Sequence, residues 1–404
     1  MQALRLYAGP RARQHLEQNG LSPADVGVIP GAAGGPKGLI LGPLDRFLFG
    51  QWLPKSQQPV HLVGASIGAW RMATACLTST PGDPVDAFKV LERDYIAQHY
   101  ELKPGEKRPS AQFVSEQFGQ NLVRFYGGRI PEVLQHPRYH LHVITSRGRH
   151  VLGHEGRFRT PMGYLGAFLT NTVRRKSMGA WLERVVFSSK AGDLPFATAD
   201  YRTRRVALTE ANFNLAVQAS CSIPFVLQAV HDIPGAPRGA YWDGGIIDYH
   251  LHLDYILDKY SPNNIADSDF NTRPKGQFSL GTVGSAVNST NVRIKNPPPS
   301  GPGPLVLYPH FQKAVVPGWL DKSLKWRHKA TRHLDNMLLL APNPEWVKTL
   351  PNGKLPDRND FVHYGNDLAG RMKAWTTAAS ASQQMADELD AWLVRPDMGR
   401  VLAI

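Results

Sequence analysis

The chain has 404 residues, 42% hydrophobic and 20% charged, with a formal net charge of +13. The apolar content excludes an overall disordered chain, two cysteines exclude a disulfide scaffold, and no apolar run approaches the roughly 18 residues of a membrane-spanning helix. Arg5, Arg11, Arg13 and Glu17 interrupt the N-terminal stretch, which argues against a signal peptide and for a reducing, cytoplasmic location.

In chain order, Asp25–Pro30 is a short apolar run that predicts a buried strand. It enters the glycine-rich loop Gly31–Gly38 and then the apolar stretch Leu39–Phe49, a helix that Pro43 should break. Pro36 suits a first helical turn, where its missing N–H is no loss. The same grammar repeats at once: strand Pro59–Val63, tight turn Gly64–Gly68, buried helix Ala69–Leu77. Two strand–turn–helix units in succession predict an α/β fold with a largely parallel central sheet and helices on both faces. Residues 83–126 read as helical with an exposed break at 103–109, and Arg138–Thr145 as a strand with Leu141 and Val143 on one face and His140 and His142 on the other. Further strands are expected at 184–188, 205–208 and 240–242, with a helix at 211–222 stopped by Pro224.

The tract 261–304 is dominated by Asn, Ser, Gly and Pro and reads as an inserted loop or lid. Strands are expected again at 305–308 and 337–340. Leu368, Met372, Trp375, Ala379, Ser382, Met385, Leu389 and Trp392, spaced by three and four, predict one C-terminal amphipathic helix ending before Pro396. The domain reading is a catalytic part at 1–260, the insertion at 261–304, and at 305–404 the C-terminal part of the same domain.

Three segments carry chemistry. Gly64-Ala-Ser-Ile-Gly68 fits G-x-S-x-G, in which a sharp strand-to-helix turn projects a serine hydroxyl from the sheet. Small flanking residues let strand and helix approach, and the helix N-terminus favours a developing alkoxide. The loop Gly31–Gly38 fails as a phosphate-binding Walker loop because it ends Pro36-Lys37-Gly38, and as a dinucleotide fingerprint because position 33 is Ala33. It can be a structural turn, or a loop whose Gly34 and Gly35 N–H groups face an oxyanion, Pro36 having none to give. Asp243-Gly244-Gly245 puts an acid at a strand end, where sheet enzymes place catalytic groups and where turn aspartates are also common.

Together these segments resemble the patatin-like phospholipase family, whose pattern is a glycine-rich loop ending in Lys/Arg-Gly, a G-x-S-x-G turn on the next strand, and a distant Asp-Gly-Gly. Here they are Ala33-Gly34-Gly35-Pro36-Lys37-Gly38, Gly64–Gly68 and Asp243-Gly244-Gly245, with Ala219-Ser-Cys-Ser-Ile-Pro224 resembling the stretch that precedes the acid. The likeness spans roughly residues 22–250. It implies a patatin-like fold and a serine hydrolase of lipid acyl esters. Ser66 would be the nucleophile and Asp243 its partner in a dyad without histidine. Gly34 and Gly35 would form the oxyanion hole, Lys37, Gly38, Gly64, Gly68, Gly244 and Gly245 would support it, and no cofactor would be needed. Two departures stand out: Ala33 replaces the first glycine of the loop, and Ile246-Ile-Asp-Tyr-His250 replaces a short polar run with a proline.

Two other functions fit the residues. A Ser-His-Asp carboxylesterase would need a histidine after Asp243, and His250, His252, His310, His328, His333 and His363 qualify by position. A non-catalytic protein could hold a phosphate or acyl carboxylate at the same loop. Two His-x-His pairs, 140/142 and 250/252, lack a third ligand at telling spacing, so no metal is expected. The densest basic clusters, 174–176, 202–205 and 322–332, suit a solvated surface or an anionic membrane contacted peripherally, by charge and therefore salt-sensitively. No nucleic-acid-binding module is recognised.

Overall fold

The computed structural model describes residues 1–100, 109–255 and 304–404. The expected insertion, apart from Pro304, and most of the expected break at 103–109 lie outside the described residues. An eleven-stranded sheet organises the molecule. Its strands are β1 (Leu4–Ala8), β2 (Val26–Gly31), β3 (Val60–Gly64), β4 (Tyr139–Gly148), β5 (Leu182–Ser188), β6 (Thr203–Ala207), β7 (Val230–His231), β8 (Ala240–Asp243), β9 (Leu305–Pro309), β10 (Met337–Pro342) and β11 (Val401–Ala403). The main path runs β11-β1-β10-β9-β2-β3-β4-β5-β6, with β8 on β4 and β7 on β8. The run β10-β9-β2-β3-β4 is parallel throughout, whereas β1–β10, β4–β5, β4–β8 and β7–β8 are antiparallel.

Among the described residues twelve α-helices surround the sheet. They are α1 (Pro10–Asn19), α2 (Gly42–Phe47), α3 (Ile67–Thr74), α4 (Val85–Ala97), α5 (Ala111–Tyr126), α6 (Ile130–Gln135), α7 (Arg159–Val173), α8 (Phe213–Cys221), α9 (Pro344–Val347), α10 (Asn359–Tyr364), α11 (Leu368–Ala381) and α12 (Gln383–Val394). Strands β2, β3, β9 and β10 are buried along their whole length, as parallel strands covered on both faces must be. β9 lies between β2 and β10, so residues beyond the 256–303 tract complete the same sheet.

Four expectations need correction. First, the C-terminal periodicity belongs to two helices, not one. The chain breaks at Ser382, whose hydroxyl donates to the Ala379 carbonyl at 2.6 Å. The first half packs Trp375 and Ala379 with Leu39 and Ile96 and lends Ala378 to the main core, which Met385, Leu389 and Trp392 of the second half join. Second, β4 runs on to Gly148, three residues past the expected end, and its histidine face turns inward: His142 is buried, with Nε2 2.9 Å from His61 Nδ1 and Nδ1 2.9 Å from Ser188 Oγ. Third, the broken 39–49 helix is a 3₁₀ segment over Gly35–Leu41 followed by α2, with Pro43 in the first turn of α2. Fourth, part of the basic surface is structural. Arg202 and Arg204 meet the buried Glu183 at 3.2 and 3.4 Å, and Arg175 and Arg327 meet the buried Asp321 at 2.7 and 2.8 Å.

Two buried ion pairs hold the scaffold. Arg71 of α3 grips Asp45 of α2 with two bonds of 2.7 Å. Fully buried Arg184 of β5 grips Asp248 at 2.6 and 2.7 Å and Asp200 at 2.8 and 2.9 Å. Forked geometry lets one guanidinium satisfy both oxygens of a carboxylate, which is what makes such charges tolerable inside a protein.

Candidate active site

Strand β3 ends at Gly64, and the chain turns into α3 through Ala65 and Ser66. Ser66 has φ +57° and ψ −132°, a conformation that costs energy for any residue with a β-carbon. The turn is tight because β2 and α3 nearly touch: a β-carbon on Gly68 would overlap the Gly31 carbonyl. The Ser66 N–H donates to Ser220 Oγ at 3.0 Å, and that hydroxyl donates to the Ile144 carbonyl at 2.7 Å. The strained turn is thus tied to α8 and β4.

Asp243 ends β8, where its N–H donates to the Ser222 carbonyl at 2.9 Å. The Ser66 hydroxyl donates to Asp243 Oδ2 at 2.7 Å, and the Gly245 N–H donates to Oδ1, also at 2.7 Å. The stretch 219–224 therefore has three tasks: Ser220 braces the serine, Ser222 braces the aspartate, and Ile223 and Pro224 line the pocket above them. Burial pushes the Asp243 carboxyl up to about 6, against the pull of its two hydrogen bonds and of Arg358 and Lys322.

The pocket over this pair has a volume of about 200 Å³. Ser66, Asp243, Gly34, Lys37 and Gly245 line it together. Gly35 is not among the lining residues. It has φ +57°, and a β-carbon there would point at Arg358 and Tyr95. Gly34 is extended, and its missing side chain leaves room for Phe311, which any β-carbon would overlap. Gly64, Gly68 and Gly244 act through packing, a β-carbon on Gly244 overlapping the Ile144 carbonyl, whereas a β-carbon on Gly38 would meet only ordinary contacts with Ile67 and Arg71.

Both departures from the family pattern acquire a physical account. The Ala33 N–H donates to the Tyr249 carbonyl at 3.0 Å, so it is committed to the scaffold and is not free for an oxyanion. Tyr249 belongs to the replaced run, in which Ile246 and Ile247 are buried and Asp248 is clamped by Arg184. That run fastens the glycine loop to the core.

No histidine lines the pocket among the described residues. His250 Nδ1 lies 3.1 Å from the Ala314 carbonyl and 3.0 Å from the Val316 nitrogen, His252 Nδ1 2.8 Å from the Val315 carbonyl, and His310 Nδ1 2.5 Å from the Gln312 carbonyl. His328 Nε2 lies 2.9 Å from the Asp321 carbonyl, His333 faces Asp254 at 3.8 Å, and the His363 ring packs edge-on against Tyr364. Among the described residues no group of three or more His, Cys, Asp or Glu is arranged to hold a metal.

Sequence reasoning missed the rim. Trp319, Lys322, Asp357, Arg358 and Asn359 line the same pocket from far downstream. Lys322 Nζ sits 4.0 Å from the centroid of the Tyr249 ring. Burial, Arg358 and Lys37 push its ammonium down to about 8. Lys37 is also pushed down, chiefly by burial, and lies 5.4 Å from the Phe311 centroid. Three cations thus face two carboxylates, Asp243 and Asp357, in one small pocket, and none of the three is in an ion pair among the described residues. Lys322 stood in a noted basic cluster, but the loop around Arg358 carries no pattern that marks it.

A family model described as patatin-like phospholipase matches residues 33–250, more than half of the chain. A comparison with curated proteins found no match.

Proposed function

The chain belongs to the patatin-like phospholipase family, a family of lipid acyl hydrolases, and we propose that it cleaves acyl esters of lipids, as a phospholipase A does, through Ser66 and Asp243. The observation that carries this reading is the direct 2.7 Å bond from the strained Ser66 hydroxyl to a buried carboxylate that no histidine mediates. Ser66 Oγ attacks the acyl carbonyl as its proton passes to Asp243 Oδ2. Backbone N–H groups of Gly34 and Gly35 hold the tetrahedral oxyanion, and Asp243 returns the proton to the leaving alcohol. Water then attacks the acyl-serine, giving its proton to Asp243. The fatty acid departs and Ser66 recovers its hydrogen.

A carboxylate with an ordinary pKa near 4 is a weak base; one raised to about 6 is better matched to neutral pH while still ionised there. On this reading residues 1–260 and 305–404 form one catalytic unit, supported by the pairing of β9 with β2 and by the pocket residues drawn from 319–359. The test is fluorophosphonate labelling with a panel of p-nitrophenyl esters and phospholipids, on wild type and Ser66→Ala. Labelling and turnover should both vanish in the variant. No labelling at Ser66 in the wild type, with no ester turned over, would favour the binding-protein alternative.

A further inference from the structure

The helix α7 is folded inside out. Its core-facing positions are Thr160, Gly163, Tyr164, Ala167 and Asn171, all buried. Its large apolar residues face water: Phe158 at the N-cap is 75% exposed, Leu165 58% and Val173 88%, with Met162 and Leu169 between them. Positions 158, 162, 165, 169 and 173 fall at spacings of three and four, so they form one continuous stripe. Folding does not need this stripe. The helix is held by close packing at Gly163 and Gly166, where β-carbons would crowd Leu152 and Trp181, and by the Asn171 amide donating to Asp321 at 2.8 Å. Contiguous exposed apolar surface of this kind marks a contact with something else.

A second exposed apolar patch lies at the mouth of the pocket and touches α7. Tyr164, on the inner side of α7, packs edge-on against Trp242, which precedes Asp243, and against Phe225, each at 6.0 Å. Phe225 follows the pocket-lining Pro224. Phe225 and Val226 are themselves exposed, and Phe225 is held at φ +69°. Positive φ at a bulky residue is costly, and such strain clusters at functional sites. At the other end, Arg327 binds the Asn171 and Thr172 carbonyls, and the neighbouring Trp326 is exposed.

Charge identifies the occupant. Residues 156–182 contain no Asp or Glu. Arg157, Arg159, Arg174 and Lys176 flank the stripe, are exposed, and form no ion pair among the described residues. A second copy of the chain would bring like charges together across a two-fold axis. An anionic bilayer complements both the apolar stripe and its basic border.

We propose that the outer face of α7, with Phe225, Val226 and Trp326, is the surface by which the protein docks on an anionic lipid bilayer, with the Ser66 pocket opening beside it. Apolar residues enter the headgroup layer and the four basic side chains meet lipid phosphates. The lipid-ester reading supplies the reason for such a surface, but the attachment does not require hydrolysis. It also changes the attachment expected from net charge alone. Salt should weaken binding without abolishing it, because apolar burial survives screening.

The experiment is vesicle flotation with the full chain carrying Ser66→Ala, so that lipid is not consumed whichever way the hydrolase reading falls. Vesicles are phosphatidylcholine alone or mixed with phosphatidylglycerol. The parent should bind the anionic vesicles and keep part of that binding at 0.5 M salt. Adding Leu165→Glu and Leu169→Glu should lower the bound fraction about ten-fold or more, with an unchanged melting temperature because both positions are exposed. Val394→Glu, at an exposed apolar position outside the stripe, should bind like the parent. Arg157→Gln with Arg174→Gln should lose binding mainly at low salt. Unchanged binding by the double glutamate variant, or an equal loss with Val394→Glu, overturns the proposal. A dimer that the glutamates dissociate, with vesicle binding untouched, overturns it in favour of a second copy.

Discussion

The floor of the pocket is assembled from 31–38, 64–68, 219–224 and 240–245, where Ala33, Ala65, Gly68, Ser222 and Asp243 are held by backbone bonds and Gly31, Gly34, Gly64, Gly68 and Gly244 have no room for a β-carbon. Its rim comes from 319–322 and 357–359, whose side chains reach in from outside the segment matched by the family model. The floor has one tolerated geometry and hence few tolerated residue types. The rim needs only a cation or an indole at about the right place. The floor should therefore decide whether the chemistry happens, and the rim which esters receive it.

The largest effects should follow changes in the floor. Ser66→Ala should cut ester turnover on the order of 10⁴-fold or more for every substrate, with the fold intact. Wild-type-level hydrolysis by this variant would break the comparison outright.

Asp243→Asn should come close to the same loss, since an amide cannot take the serine proton, and no single His→Ala change should match it. In the wild type, kcat/KM should fall as pH drops through about 6, where Asp243 becomes protonated. Stability should move in the opposite sense. A carboxyl raised in the folded state favours folding below its unfolded pKa, and that contribution is lost as pH rises through about 6. Between pH 4 and 7 the variant should thus gain up to about 3 kcal/mol relative to wild type. Chemical denaturation of both proteins at the two pH values measures it. A gap that does not change with pH would mean that Asp243 is not destabilised by its burial.

Next in size, Gly34→Val and Gly35→Val should each lower turnover about 10²–10³-fold. At position 34 the new side chain would collide with Phe311, and at 35 it would sit at positive φ facing Arg358. Fluorophosphonate labelling of Ser66 should survive in part. Full activity in either variant would put the oxyanion donors elsewhere.

The smallest effects belong to the rim. Lys322→Met and Arg358→Gln should lower kcat/KM about ten-fold for esters bearing a phosphate or carboxylate near the acyl group, and much less for neutral p-nitrophenyl esters. The preference for anionic esters should fade above pH 8, where Lys322 loses its proton. Equal losses on neutral and anionic esters would assign these residues to the chemistry and erase the distinction between floor and rim.

The same division governs what could be read before any coordinates. Strands β2, β3 and β9 were legible because apolar runs bounded by glycine or proline leave few alternatives. β1 and β11 went unnoticed: they are short, and β1 gains its place only by pairing with β10 and β11, hundreds of residues away. α7 escaped because its pattern is inverted; the period is helical, but nothing in the sequence says which face meets the core. The C-terminal repeat misled for a related reason, since two helices that continue one period look like a single helix until their partners are known.

Residue type alone determined the parts of this protein where backbone geometry admits one or two side chains: the strand–glycine–helix units, the elbow at Ser66, the loop before Lys37 and the acid ahead of Gly244. Local sterics act over a few residues, so their requirements are written in adjacent letters. Tertiary structure decided the rest. It set the 2.7 Å approach of Ser66 to Asp243, the clamp of Arg184 on Asp248 that steadies the glycine loop, the arrival of Lys322 and Arg358 at the rim, and the outward face of α7. Each of these depends on distances between segments far apart in the chain, and such distances are fixed only when the whole sheet closes around them.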